Sequence, residues 1–346
     1  MRITSVRATF EVAPFRENPI RDALQVLDGG GTVRVEVTTD AGLVGRSATG
    51  FGRLRAAPSV LAHLIGEELA PAVVGEDPFQ VRRIRDRLWD LTEYHGATGL
   101  ACFGISAIDI ALWDVMGKAV GLPVWRLLGA SRDSVPTYAM VGWLNYDVDE
   151  LRRICARAMG QGFLGVKVKV GAPTLEEDVE RIEAVRSEIG RKALLMVDAN
   201  QVFSVAEALR RGRVYESLGC YWFEEPIRAD NTAGLAELAQ SLDIPIASGE
   251  NNFGKAQFKE LFVQRAVDIV QPDLRRAGGL TECFEVGLMA AGFGIPYASH
   301  GGGVHLHVLA ALPNAIFMES GLLPEDGSVK LVNGCYPLPE APGFGG

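Results

Sequence analysis

Cysteine is scarce: the five in 346 residues (Cys102, Cys155, Cys220, Cys283 and Cys335) are scattered and odd in number, which excludes a disulfide framework. They form no CxxC pair, so a zinc knuckle is excluded as well. Their pattern fits a reducing compartment, and we expect a cytoplasmic protein. Basic residues are outnumbered, 34 Lys and Arg against 43 Asp and Glu for a net charge of −9. That balance leaves no broad basic face to neutralise phosphates and argues against a nucleic-acid partner. No uninterrupted apolar run of about 20 residues is present, so no membrane span is expected. The opening MRITSVRATFEV alternates like a strand and carries no apolar signal-peptide core.

What the chain does have is apolar content and glycine. With 48% hydrophobic and 22% charged residues it is neither disordered nor fibrous. Its 40 glycines, about 12% against the usual ~7%, suggest many tight turns in a repetitive α/β protein. The length allows about two domains, or one large barrel with an appended piece.

The rhythm of the chain changes once. Strand signals at Arg2–Val12, Val33–Val37 and Leu43–Ala48, the last two joined through Asp40-Ala41-Gly42, are followed by helical patterns at Ser59–Leu69, Pro78–Tyr94 and Cys102–Val120. Strands followed by helices make an α+β unit. From about residue 135, short apolar strands alternate with amphipathic helices: Thr137–Val141, Gly165–Val170, Leu194–Val197, Tyr221–Phe223, Ile244–Ala247, Asp268–Val270, Ile295–Ala298 and Ala315–Met318. Eight such strands fit a closed βα barrel better than an open sheet. The chain divides into an α+β domain over 1–125, a barrel over 126–322, and an irregular tail over 323–346 that should pack back on the first domain.

In a βα barrel, chemistry sits where strands end. Here nearly every strand ends on a functional polar residue: Lys167 and Lys169, Asp198, Glu224, Glu250, Asp273, His300 and Glu319. Asp198, Glu224 and Glu250 are spaced 26 residues apart (224 − 198 and 250 − 224), about one strand, one helix and two loops each. Three carboxylates sharing a mouth raise each other's pKa, so a hard cation is their natural partner, and all-oxygen ligation suits Mg²⁺. Lys167 and Lys169, two apart on a strand, face the same side, and each lowers the other's pKa toward general-base work. Asp273 bonded to one ring nitrogen of His300 would fix its tautomer and strengthen the other nitrogen as a base.

With Asn200 in the D-x-N motif, Glu224-Glu225-Pro226, and Asn251 in Gly-Glu-Asn, this set resembles the enolase superfamily, and most closely its mandelate racemase subgroup. The resemblance covers nearly the whole chain. It implies a modified TIM barrel, (β/α)7β, with an N-terminal α+β capping domain. It also implies Asp198, Glu224 and Glu250 as ligands of Mg²⁺, Lys169 as the base on one face of the substrate, and His300 oriented by Asp273 as base or acid on the other. Lys167 and Glu319 would hold the substrate carboxylate as it becomes an enediolate, Glu319 donating a hydrogen bond, with Asn200 and Asn251 beside the substrate. The resemblance further implies a homo-oligomer, octamer or dimer, whose specificity lies in the loops Phe15–Gly31 and Gly50–Arg55. The segment Phe15–Asp22 is rich in hydrogen-bonding side chains, which suits a polyhydroxylated acid. Dehydration of an acid sugar to a 2-keto-3-deoxy acid is therefore the expected reaction, with racemisation, epimerisation or cycloisomerisation of a small carboxylate as the alternative.

Three rival signals are weaker. Gly249–Ala256 almost spells a phosphate-binding loop but has Ala256 where the magnesium-binding hydroxyl belongs, and Glu250 where phosphates would approach. His305 and His307, two apart on a helix, point to different faces and are read as packing or surface histidines. Gly301-Gly302-Gly303 reads equally as a ligand-approach loop or a turn. A catalytically silent carboxylate-binding barrel is the remaining class, and no required group is missing from the sequence to favour it.

Overall fold

The computed structural model describes residues 1–345. Its N-terminal unit is built on β1 (Ile3–Ala13), β4 (Gly30–Thr39) and β5 (Val44–Phe51), antiparallel in that order. Val33, Val35 and Val37 on alternate positions of β4 are buried under helices, while Arg34 and Glu36 between them face outward. The loop between β1 and β4 holds a two-residue ladder, β2 (Ile20–Arg21) with β3 (Val26–Leu27), which the sequence reads as plain loop. Asp22 makes it by folding the turn onto itself, Oδ1 accepting from the Leu24 and Gln25 amides at 2.8 Å each.

The Leu100–Val120 helix is long and apolar enough, by length and composition, to cross a membrane. It is the core helix of the capping domain: it packs on β4, β5 and the barrel, and its buried side chains run from Cys102 to Met116 on all faces. Its two buried carboxylates are bonded within the protein, Asp109 to Thr281 of the barrel and Asp114 to the Arg46 amide and Lys118.

Eight parallel strands close the barrel: β6 (Ser134–Gly142), β7 (Gly165–Lys169), β8 (Leu194–Asp198), β9 (Phe223–Glu224), β10 (Ile246–Ser248), β11 (Ile269–Val270), β12 (Tyr297–Ala298) and β13 (Ala315–Ser320). They pair in chain order, and β13 returns to β6 with Met318 opposite Thr137. β10 and β12 start two residues later than the sequence suggests, because Pro245 and Pro296 have no amide hydrogen to give the ladder. Beneath the mouth the interior is filled by Tyr138, Met196, Trp222, Ala247, Ile269 and Ala298, with Tyr138 and Trp222 edge to face at 5.2 Å.

The tail divides its contacts. β14 (Cys335–Pro337) joins the barrel sheet, antiparallel to β6, where the sequence places the whole tail on the capping domain. Only its end lies there, Gly343 accepting from the Val124 amide at 2.9 Å and the Phe344 amide donating to Asp114 at 3.1 Å.

Candidate active site

Register places the chemistry. Lys169 stands opposite Asp198, and Asp198 opposite Glu224, so three adjacent strand ends form one row. Lys167, two residues back on the same face, lies one layer deeper. Glu250 follows β10 after Gly249, whose φ of +142° and close approach to the Gln271 backbone (3.0 Å from a Cβ built there) leave little room for a side chain. Asp273 caps the short Leu274–Ala277 helix through the Arg275 and Arg276 amides, and His300 follows β12. Asn200, Gln201 and Glu225 hold positive φ values of 45°, 67° and 41°, so the backbone is strained where strands β8 and β9 end.

The residues converge on a cavity of about 400 Å³ between barrel and cap. Lys167, Lys169, Asn200, Glu250, His300 and Glu319 line it from below. Asp22, Gln25, Phe51 and Arg53, from the two loops the sequence assigns to specificity, line it from above. Lys167 bonds Glu224 and Glu319, and Lys169 Nζ lies 2.5 Å from Asp198 Oδ2. Across the mouth, His300 is bonded at both nitrogens, Nδ1 to Asp273 at 2.7 Å and Nε2 to Glu250 at 2.8 Å. Asp198 and Glu224 stand behind the two lysines; Asn251 lies off the cavity, its amide given to Glu225 (2.7 Å) and Glu250 (3.3 Å).

Charge in this cluster departs from the sequence expectation in two places. Burial by itself would lower both lysines, but the carboxylates Glu224 and Glu319 beside Lys167, and Asp198 beside Lys169, carry both above the ordinary range. The lysine–lysine repulsion read from the sequence is therefore outweighed. Glu319 was assigned as a donor; burial would raise its carboxyl, but Lys167 and His300 hold it at about 2, and it accepts from Tyr138 and from the Gly301 amide. His300, despite burial, is raised to about 10 by Glu250 and Asp273. Burial and the charges of Asp198, Glu319 and Glu250 push Glu224 up against the pull of Lys167.

Six carboxylates (Asp198, Glu224, Glu225, Glu250, Asp273, Glu319) crowd the mouth, and burial with one another's charge pushes Glu224 and Glu225 up. One Glu225 oxygen and the Asn200 carbonyl oxygen are buried without a hydrogen-bond partner. An oxygen-rich site whose carboxylates push one another up fits one hard divalent cation. Among the described residues no three ligand-type side chains yet converge on a point, because ammonium groups sit against Asp198 and Glu224.

Several contributors escape sequence reasoning. Gln271 Nε2 and Trp222 Nε1 both donate to Glu224 Oε2, at 2.9 and 3.0 Å, and Tyr138 donates to Glu319 at 3.1 Å. The interior aromatic plug thus aims the carboxylates above it. Arg275 forks onto Asp273, and Trp143 sets its ring 5.4 Å from Lys169 Nζ. All but Tyr138, which lies mid-strand in β6, are one or two residues from a motif position or at a strand end, which is the one signal that could have found them. His305 and His307 are buried packing groups, His307 accepting from the Trp125 amide. The Gly249–Ala256 segment runs into the Gly254–Val263 helix and its Glu250 belongs to the cluster.

Residues 4–129 match the family model for the mandelate racemase / muconate lactonizing enzyme N-terminal domain, and residues 150–346 that for the enolase C-terminal domain-like family. An arabinonate dehydratase of Saccharolobus solfataricus is 37% identical over 328 residues, spanning 90% of this chain and 87% of its own. A magnesium-bound racemase from Streptomyces coelicolor superposes with a TM-score of 0.93 at 30% identity, over 99% of this chain and 96% of that one. An L-talarate dehydratase from Polaromonas, complexed with Mg and L-glucarate, superposes at 0.91 and 33% identity, over 99% and 94%. With both domains matched and the whole fold shared, the chain belongs to the mandelate racemase/muconate lactonizing enzyme family of the enolase superfamily.

Proposed function

We infer that the protein removes the proton α to the carboxylate of an acid sugar and expels the β-hydroxyl, giving a 2-keto-3-deoxy acid. The observation that carries this is the opposition, across one cavity, of Lys169 and the His300–Asp273 pair. An α-proton beside a carboxylate is very weakly acidic, so its removal needs a positioned base and stabilisation of the charge that builds on the carboxylate oxygens. Asp198, Glu224 and Glu250 would hold Mg²⁺, which when bound supplies positive charge at those oxygens.

The chain's own groups do the rest. Lys167 fixes the substrate carboxylate at the floor of the cavity, and Glu319, which must take up a proton once that carboxylate replaces it on Lys167, donates a hydrogen bond to it. With Asp198 serving as a metal ligand rather than as the partner of its ammonium, Lys169 loses the contact that holds it charged, and its neutral Nζ takes the α-proton on one face. His300, held in one orientation by Asp273, gives a proton to the departing β-hydroxyl, which leaves as water, and the resulting enol becomes the keto acid. Two groups facing one α-carbon would also permit reprotonation, hence racemisation or epimerisation. The hydrogen-bonding roof, with Asp22, Gln25 and Arg53, favours a polyhydroxylated substrate and so dehydration. The five thiols, none in a disulfide among the described residues, support a cytoplasmic setting, and a homo-oligomer completes the reading.

Incubation with aldonic and aldaric acids and Mg²⁺ should give a semicarbazide-reactive keto acid. Formation of epimers or lactone isomers alone, with no keto acid from any of them, would assign the alternative reaction.

A further inference from the structure

The cavity contains more cations than one substrate carboxylate uses. Lys167, Lys169, Arg275, Arg276 and Arg53 all line it. The first three are engaged: Lys167 with Glu224 and Glu319, Lys169 with Asp198, and Arg275 with both oxygens of Asp273. Among the described residues the Arg276 side chain makes no hydrogen bond. Its nearest carboxylate oxygen is Asp273 Oδ2 at 3.6 Å, already shared by Arg275 and His300, and Arg276 Nη1 is buried without a partner. The guanidinium lies 5.9 Å from the Phe103 ring, and Phe103 stacks at 5.8 Å on Phe51 of the roof. Arg53, exposed on the roof loop, likewise has no ion pair among the described residues.

A guanidinium stays charged at any working pH, and one of its N–H groups buried without an acceptor, as Arg276 Nη1 is, is costly, while the rest of the Arg276 side chain, 27% exposed, opens on the cavity. It also only donates, whereas a polyol end offers donors and acceptors together. Asp22, the acid of the roof, is occupied by the Leu24 and Gln25 amides and by Gln25 Nε2 at 3.0 Å. We propose that the substrate carries a second carboxylate at the end remote from the reacting carbon, bound by Arg276 from the barrel and Arg53 from the cap. The enzyme is then selective for dicarboxylic acid sugars over their monocarboxylic counterparts. This rests on the function proposed above and narrows its substrate class.

The test is the ratio of kcat/KM for six-carbon aldaric acids to that for aldonic acids of matched configuration, with Mg²⁺ present. Wild type should prefer the diacid by about 10–100-fold, the effect of a charge-assisted pair. Arg276→Met should lower that ratio at least about tenfold, mainly through KM, and Arg53→Gln should lower it less. An Arg276 that merely positions Asp273 would lower kcat for both classes and leave the ratio alone, which would overturn the proposal. Equal or better use of the monoacid by wild type would overturn it too. Should the Arg276 variant not fold, wild-type inhibition by adipate against hexanoate, matched in length to a six-carbon diacid, decides: tighter binding of adipate supports the second anion site, and equal binding refutes it. Absence of both turnover and α-proton exchange with every acid of either class would overturn the dehydratase reading itself, and the selectivity with it.

Discussion

Barrel floor and capping roof meet across one cavity, yet they are specified by different rules. On the floor, strand alternation and ladder register place Lys167, Lys169, Asp198 and Glu224 within a rigid closed sheet, and a plug of aromatics fixes them from beneath. In the roof, two loops are held by a few local bonds: Asp22 to its own turn, and the β2–β3 hairpin to the barrel through Asn145. The Arg21 amide donates to Asn145 Oδ1 at 2.8 Å, Asn145 Nδ2 to the Pro19 carbonyl at 3.3 Å, and the Leu144 amide to the Arg21 carbonyl at 2.8 Å. The floor therefore sets which bond breaks, and the roof sets what is admitted. Changes to the floor should act on turnover, and changes to the roof on affinity.

The largest effect should come from the floor. Exhaustive chelation, or Asp198→Ala with the fold intact by circular dichroism, should lower turnover by about 10³-fold or more, and Mg²⁺ should restore the chelated wild type alone. Retention of activity after chelation would break the account of the floor.

Next is the joint between the two regions. Asp109 on the cap accepts from the amide and hydroxyl of Thr281 on the barrel, and burial raises its carboxyl to about 6. A folded-state pKa above the unfolded one means that the folded state holds the proton through this window. Stability is then greatest below about pH 4 and falls as pH rises through about 6, by roughly 3 kcal/mol. Asp109→Asn cannot ionise, so its stability relative to wild type should rise by about that amount between pH 4 and pH 7 in denaturant titrations. The buried His305 and His307, lowered to about 4 by desolvation, push the other way but are common to both proteins and cancel in the difference. Parallel stability curves would show that Asp109 is not the titrating group.

The smallest effect belongs to the roof. Asn145→Ala removes two bonds of the hairpin to the barrel and should raise KM about tenfold while kcat changes less than about threefold. A fall in kcat with KM unchanged would mean that the hairpin serves the floor rather than admission.

The floor was largely legible in the sequence because strand ends in a βα barrel are marked by polar residues closing apolar runs, and the spacing of Asp198, Glu224 and Glu250 counts one βα unit each. Proline positions shifted two strands, and a single Asp22 turn made a ladder inside a loop; both are local effects that a periodicity reading overlooks. Ionisation was not legible. It depends on which carboxylate touches which ammonium, so Glu319 proved an acceptor and the lysines were held charged. Asn251 shares a motif with Glu250, but in the turn that follows β10 its amide is given to Glu225 and Glu250 rather than to the cavity.

The central claim is that Lys169 and His300 work on opposite faces of one α-carbon. Exchange of the α-proton in deuterated water, followed by NMR with acid sugars epimeric at that carbon, tests it directly. Lys169→Ala should abolish exchange for one configuration, and His300→Asn should abolish it for the other or stop departure of the β-hydroxyl. Equal loss with both epimers in both variants, while metal and substrate still bind, would contradict it.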